Sequence, residues 1–173
     1  MIDRFAHHLR VDRVRDGERI DIVADEAERQ AIARRLRLDG LGRLEAHVTF
    51  GCEGPVIRAE GRLVASLDQS CVVTGEPVAA HVDEPFALVF MPEPPAGGPD
   101  EEIELGSSDC DVVFYDGSAI DLGDAVADTL ALSLDPYPRS AAADAALKEA
   151  GVMSEAEAGP FAALAKLRKP DES

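Results

Sequence analysis

The pattern that most limits the fold lies in residues 41–68. Leu44, Ala46, Val48 and Phe50 point one way, and Gly51 to Pro55 turn the chain. Ile57, Ala59, Gly61, Leu63, Ala65 and Leu67 then share a face opposite Arg58, Glu60, Arg62 and Ser66. A period of two held on both sides of a turn is the signature of strands, because successive side chains leave a strand on opposite faces. It predicts a long antiparallel pair with one buried and one wet side.

Other segments attach to that pair. Phe5, His7, Leu9 and Val11 alternate, Asp16-Gly17 reads as a turn, and Ile20 to Val23 as a short strand. Asp25 with Glu28 three residues on forms a capping box at the head of a helix. Ala27, Ala31, Arg34/Arg35 and Leu38 make its stripe with Ile32 and Leu36 beside it, and Gly40 is the expected stop. Val78, Ala80 and Val82 open another strand, which Pro85 interrupts and Phe86 to Met91 continue; the proline suggests an edge or a bulge. Residues 91–102, with Pro92, Pro94, Pro95, Gly97, Gly98 and Pro99, read as a loop. Val112 to Tyr115 form a short strand ended by Asp116-Gly117. Asp121 caps a second helix carrying Leu122, Val126, Leu130 and Leu134, stopped by Pro136 and Pro138. Residues 140–159 are Ala-, Glu- and Gly-rich, as a loose linker would be. Pro160 suits the first turn of a short helix with Phe161, Leu164 and Leu167 on its stripe, before a charged tail.

The expected class is therefore α+β: an antiparallel sheet, with barrel-like closure left open, two main helices against it and a short C-terminal helix. Hairpin-like connections, rather than regular βαβ units, favour this class. The expected organisation is one domain over 1–139, a linker over 140–159, and a helix and tail over 160–173.

Charge narrows the function. The chain has 17 Lys plus Arg against 34 Asp plus Glu, a net −17, in a composition that is 46% hydrophobic and otherwise globular. Residues 1–60 carry 11 cations and 12 anions, residues 61–140 carry 2 and 16, and residues 141–173 carry 4 and 6. The acidity thus belongs to the middle section. It disfavours tight independent binding to a nucleic-acid backbone and docking on an anionic membrane. The lack of Trp and a 5% aromatic content supply few stacking platforms. No apolar run is long enough to span a bilayer, and the charged N-terminus does not read as a signal peptide. Cys52, Cys71 and Cys110 are odd in number and far apart, which points to reduced thiols and a cytoplasmic setting.

Catalytic and metal motifs are weak. Cys71 is followed by Thr74 rather than by a second cysteine, His7-His8 are adjacent, and His47 and His81 are isolated. Structural zinc wants four converging ligands with paired short spacings. Cys71 has His81 ten residues on, but no local cation or helix terminus to activate it. Asp100, Glu101, Glu102 and Glu104 read as a solvated run, and Gly40-Leu41-Gly42 lacks the rest of a phosphate loop. No cofactor and no small-molecule substrate is expected. An interaction protein remains: an acidic section that attracts a basic partner, and the amphipathic piece around Phe161 and Leu164, which docks on a partner or on its own sheet.

Six segments stand out together: Cys71 to Val78, the strand ending Phe86 to Phe90, Glu101 to Leu105, Ile120 to Asp124, Leu130 to Arg139 and Pro160 to Leu164. In their order and spacing they resemble the YceD family of large ribosomal RNA subunit accumulation proteins, in the form found in alphaproteobacteria. The similarity runs from about residue 5 to residue 168. It implies a part in synthesis, processing or accumulation of 23S ribosomal RNA, and no established catalytic site. Many family members carry C-x-x-C where this chain has Cys71 and Thr74, so the resemblance points to a packed turn here.

The expected function is thus a non-enzymatic ribosome-assembly factor whose partners are ribosomal RNA or basic ribosomal and assembly proteins. Direct RNA contact would use the N-terminal cations Arg10, Arg13, Arg15, Arg34, Arg35 and Arg37; the candidate contact residues are Arg34, Arg35 and Arg37, with the turn of Cys71, Thr74, Gly75, Glu76 and Pro77. Asp135, Pro136, Tyr137, Pro138 and Arg139, and then Phe161 and Leu164, complete them. The rivals are a carboxylate and Mg²⁺-dependent RNA-processing hydrolase and a small zinc-binding module.

Overall fold

A computed structural model describes Phe5, residues 7–93 and residues 111–152. The chain divides into two compact units. The first takes the described residues up to Gln69 together with Ala79–Pro136, and the second takes Ser70–Val78 with the described residues from Tyr137.

In chain order the elements are β1 (His8–Arg10), β2 (Arg19–Val23), α1 (Glu26–Leu36), β3 (Gly40–Glu53) and β4 (Val56–Ser70). β5 (Pro77–Pro92), β6 (Asp111–Tyr115), β7 (Ala119–Asp121), α2 (Leu122–Ser133) and α3 (Ala143–Glu149) follow. The predicted long pair is β3 and β4, antiparallel from Glu53↔Val56 to Arg43↔Ser66. Leu44, Ala46, Val48 and Phe50 are buried on β3, and Ile57, Ala59, Leu63, Ala65 and Leu67 on β4. Between Leu41 and Arg43 the register shifts. The extra residue lets Leu41 and Leu44 both face inward although they are three apart.

The main sheet runs β2-β3-β4-β5-β6. Its last pair is parallel, Leu88↔Asp111 to Pro92↔Tyr115, where hairpin connections alone predict antiparallel. β1 and β7 make a separate two-stranded ribbon. Among the described residues no pairing closes the main sheet into a barrel. Pro85 lies in β5 before the stretch that β6 reaches, so its missing N–H interrupts no β5–β6 pair.

Both helices bury an apolar stripe on this sheet. Ile32 of α1 and Leu122, Val126 and Leu130 of α2 join Leu44, Phe50, Ile57, Leu63 and Phe90 in one core. The capping box forms as the spacing predicts: Asp25 accepts from Glu28 N–H at 2.9 Å, and Glu28 accepts from Asp25 N–H at 2.8 Å. The other end of α1 differs from expectation. Arg37, with φ 56°, makes the left-handed cap, and Gly40 instead starts β3. Asp121 caps α2, accepting from Asp124 N–H at 3.1 Å, and the same carboxylate oxygen accepts from His7 N–H at 3.1 Å. One residue thus joins the ribbon to the helix.

The second unit contains α3, within the stretch expected as a loose linker. Its one buried residue is Ala143, so the segment lacks the large apolar stripe by which a helix is read from sequence. The C-terminal helix expected at 160–173, with Phe161 and Leu164, lies outside the described residues.

Candidate interaction surface

No Lys or Arg occurs between Arg62 and Arg139, a stretch that holds 16 Asp or Glu. β5, β6, β7 and α2 all come from it. Strands and helices that bury alternate or every third to fourth residue present the rest to water, so the acids of this stretch collect outside. Glu84, Glu93, Asp111 and Asp116 are exposed, and none forms an ion pair among the described residues. An unbalanced surface of this kind repels anions and attracts cations over a Debye length.

The cations expected for RNA do not form one free patch. Arg35 of α1 reaches across to α2, binding Asp124 at 2.6 Å and also Asp128. It is committed to holding the two helices together. Arg34 and Arg37 are exposed and have no carboxylate partner among the described residues. The pairing of Arg35 was hidden in the sequence because its partners lie 89 and 93 positions away. Elsewhere the wet face of the sheet is locally neutralised by Arg43 on Glu45 and Arg62 on Asp83, and His47 Nδ1 lies 2.7 Å from Asp21 Oδ1.

The expected turn at Cys71 exists and is closely bonded within the second unit. Cys71 N–H donates to Glu76 O at 2.8 Å, and Gly75 N–H to Cys71 O at 2.9 Å, with left-handed backbone at Gly75 (φ 73°). Pro77 then begins β5. The turn meets the segment after α2: Val72 N–H donates to Pro138 O at 2.9 Å, and Thr74 and Ser140 hydroxyls lie 3.1 Å apart. Thr74 hydroxyl also donates to Glu76 at 3.1 Å. Cys71 Sγ is buried and accepts from Ser140 N–H at 3.2 Å and Thr74 N–H at 3.4 Å.

Those donors favour the thiolate. Ser140 N–H first, and then Thr74, lower the Cys71 pKa from 9.0 to about 6. A depressed folded-state pKa adds stability above the unfolded value and loses it as pH falls through the folded one. Wild type should therefore gain stability over Cys71→Ala between about pH 6 and about pH 9. Thermal melts of both proteins across that range check it; a pH-independent gap contradicts a thiolate. Cys52 shows the opposite environment, its thiol pushed up by burial and then by Asp16 and Glu18.

A sulfur held by two backbone N–H groups, with the Thr74 and Ser140 hydroxyls beside it, is not a donor set that structural zinc uses. Among the described residues, no three His, Cys, Asp or Glu side chains are grouped to hold a metal ion. Asp100, Glu101, Glu102 and Glu104 lie outside the described residues. Of the remaining candidates, Asp135 accepts at its carbonyl from buried Gln69, at 2.9 Å. Pro136 and Tyr137 are exposed, Pro138 is buried, and Arg139 stands 3.5 Å from Asp144.

The sequence model of the family described as large ribosomal RNA subunit accumulation protein YceD matches residues 59–168. The chain belongs to the YceD family. No curated protein and no solved structure matches it. The family match takes in the whole cation-free stretch, the Cys71 turn, α2 and α3. It begins within β4, so α1 with Arg34, Arg35 and Arg37 precedes it, although the resemblance traced in the residues starts near residue 5. Family membership carries a role in ribosome biogenesis, in accumulation of the large-subunit RNA. No helix of the described residues is long and apolar enough to cross a membrane.

Proposed function

We propose that this YceD-family chain is a non-enzymatic, cytoplasmic factor that supports synthesis, processing or accumulation of 23S ribosomal RNA by receiving a basic ribosomal or assembly protein on its acidic surface. The observation that carries this reading is the run from Arg62 to Arg139 without a cation, whose exposed acids Glu84, Glu93, Asp111 and Asp116 lack ion-pair partners among the described residues. Uncompensated charge raises the encounter rate with a partner of opposite sign and rejects the RNA backbone itself. Large-subunit proteins must carry enough cations to bind RNA, so they match this surface in sign.

Direct RNA contact is a second reading, supported by the exposed guanidinium groups of Arg34 and Arg37, which have no carboxylate partner among the described residues. One experiment separates the two. The purified chain is mixed with basic proteins extracted from large subunits, and in parallel with 23S fragments in a gel shift. The protein-receiving role predicts a retained subset of basic proteins, unchanged in an Arg34→Glu, Arg37→Glu variant. Retention of no basic protein contradicts it, and a fragment shift abolished by the double variant establishes the RNA contact instead.

A further inference from the structure

β6 is an edge strand of unusual character. It pairs with β5, and among the described residues no strand lies on its other side. Natural edge strands are blunted by lysine, proline or a bulge. β6 reads Asp111-Val112-Val113-Phe114-Tyr115 and has no lysine or proline, and its register with β5 is unbroken.

The backbone of β6 fixes which groups are open. Glu93 N–H donates to Tyr115 O at 3.0 Å, so the Tyr115 carbonyl faces β5. Along a strand the N–H and C=O of alternate residues point to opposite sides. Val113 and Asp111 therefore face β5 as well, while Val112 and Phe114 direct their N–H and C=O groups to the open side. The side chains divide in the same rhythm. Val113 packs on the core and Tyr115 is buried, its hydroxyl donating to Pro55 O at 2.6 Å. Val112 is half-buried and Phe114 is 51% exposed, on the face shared with Val89 and Met91. The ends of this edge carry Glu93, Asp111 and Asp116, all exposed and without ion pairs among the described residues.

We propose that β6 accepts an extended, basic segment of a partner protein as an additional strand, paired to the outward groups of Val112 and Phe114, with its apolar side chains on Phe114 and its cations on Glu93, Asp111 and Asp116. Main-chain hydrogen bonds supply affinity in such additions, and alternate side chains supply selectivity. Charge decides the occupant: acids at both ends of an apolar edge exclude an acidic or RNA ligand and match Lys or Arg flanking β-branched residues. The proposal rests on the protein-receiving role above and names the kind of segment received.

The test uses the full chain and two synthetic peptides of equal charge. One alternates lysine with valine, and the other has its central valine replaced by proline so that it cannot complete a strand. The alternating peptide should bind about tenfold more tightly. It should also slow amide hydrogen exchange at Val112 and Phe114 and leave Val113 unchanged. Val112→Pro removes an outward donor and should weaken that peptide by about tenfold while leaving the proline peptide unaffected. If that variant does not fold, the exchange pattern of wild type decides alone. Equal binding of the two peptides, without new protection, overturns strand addition and leaves the acidic-surface role standing. Protection of Val112 and Phe114 already present in the free chain overturns it too, showing the edge closed by this chain itself or a second copy. Protection brought by a single-stranded RNA oligomer, and not by peptide, overturns it in favour of RNA.

Discussion

Replacing Gly61 by alanine should destabilise the main sheet by about 3 kcal/mol or more, the upper range for overpacking. A Cβ at this position would sit 2.1 Å from His47 O and 3.1 Å from Phe86 Cζ. The first contact is with backbone in the paired strand, at the Val48↔Gly61 step of the ladder, so no side-chain rotation relieves it. β3 and β4 would have to separate at the centre of their pairing, next to Val48 and Leu63 in the core. Gly42→Ala is the control. There the nearest atom to a new Cβ is Ser66 O at 3.7 Å, ordinary contact. Thermal unfolding should fall by about 10 °C for Gly61→Ala and by little for Gly42→Ala. Equal melting of the two variants contradicts the β3–β4 register.

Gly123→Ala separates two physical effects of opposite sign. Gly123 lies in the first turn of α2, and alanine there should stabilise by up to about 1 kcal/mol on helix propensity alone. The surroundings forbid it. A Cβ would lie 2.2 Å from Phe5 O and 3.0 Å from His7 N, backbone atoms of the segment that leads into β1. That segment is held by His7 N–H on Asp121 and by Leu122 N–H on His7 O at 3.0 Å, so it cannot retreat without losing the cap. The net expectation is a loss of about 2–3 kcal/mol. Denaturant unfolding reads the sign directly, and a stabilised variant contradicts the packing of α2 on the N-terminal segment.

The parts of this fold legible in the sequence are those that a local period records. Leu44 to Phe50 and Ile57 to Leu67 announce their strands because each alternate side chain is buried, and Asp25 and Asp121 announce their helices because a cap acts within three residues. The direction of β6 is not a local property. Val112 to Tyr115 show a strand, but parallel pairing depends on the path of the chain between Pro92 and Asp111. The end of α1 departs from local expectation for a different reason. Glycine is the usual left-handed residue, so the sequence points to Gly40, whereas Arg37 takes the left-handed cap and Gly40 begins β3. α3 is not legible in the sequence because its buried residue, Ala143, is small and leaves no stripe.

The candidate surface divides in the same way. The acidic run is visible by counting, since absence of Lys and Arg over many residues needs no partner to be seen. The bonding of Cys71 to Ser140 spans 69 positions, and the commitment of Arg35 to Asp124 and Asp128 spans more. Neither leaves a trace in local spacing. Arg34, Arg35 and Arg37 look equivalent in the sequence, and the structure distinguishes them by what α2 places opposite.

The most direct measurement of the central claim is the salt and RNase sensitivity of partner retention on the tagged, full-length chain purified from its source cell. A role based on an acidic surface predicts that basic large-subunit proteins remain after RNase treatment at about 0.1 M salt and leave at about 1 M, where the screening length falls from about 10 Å to about 3 Å. Loss of those proteins on RNase treatment alone, or their retention at about 1 M salt, would contradict it.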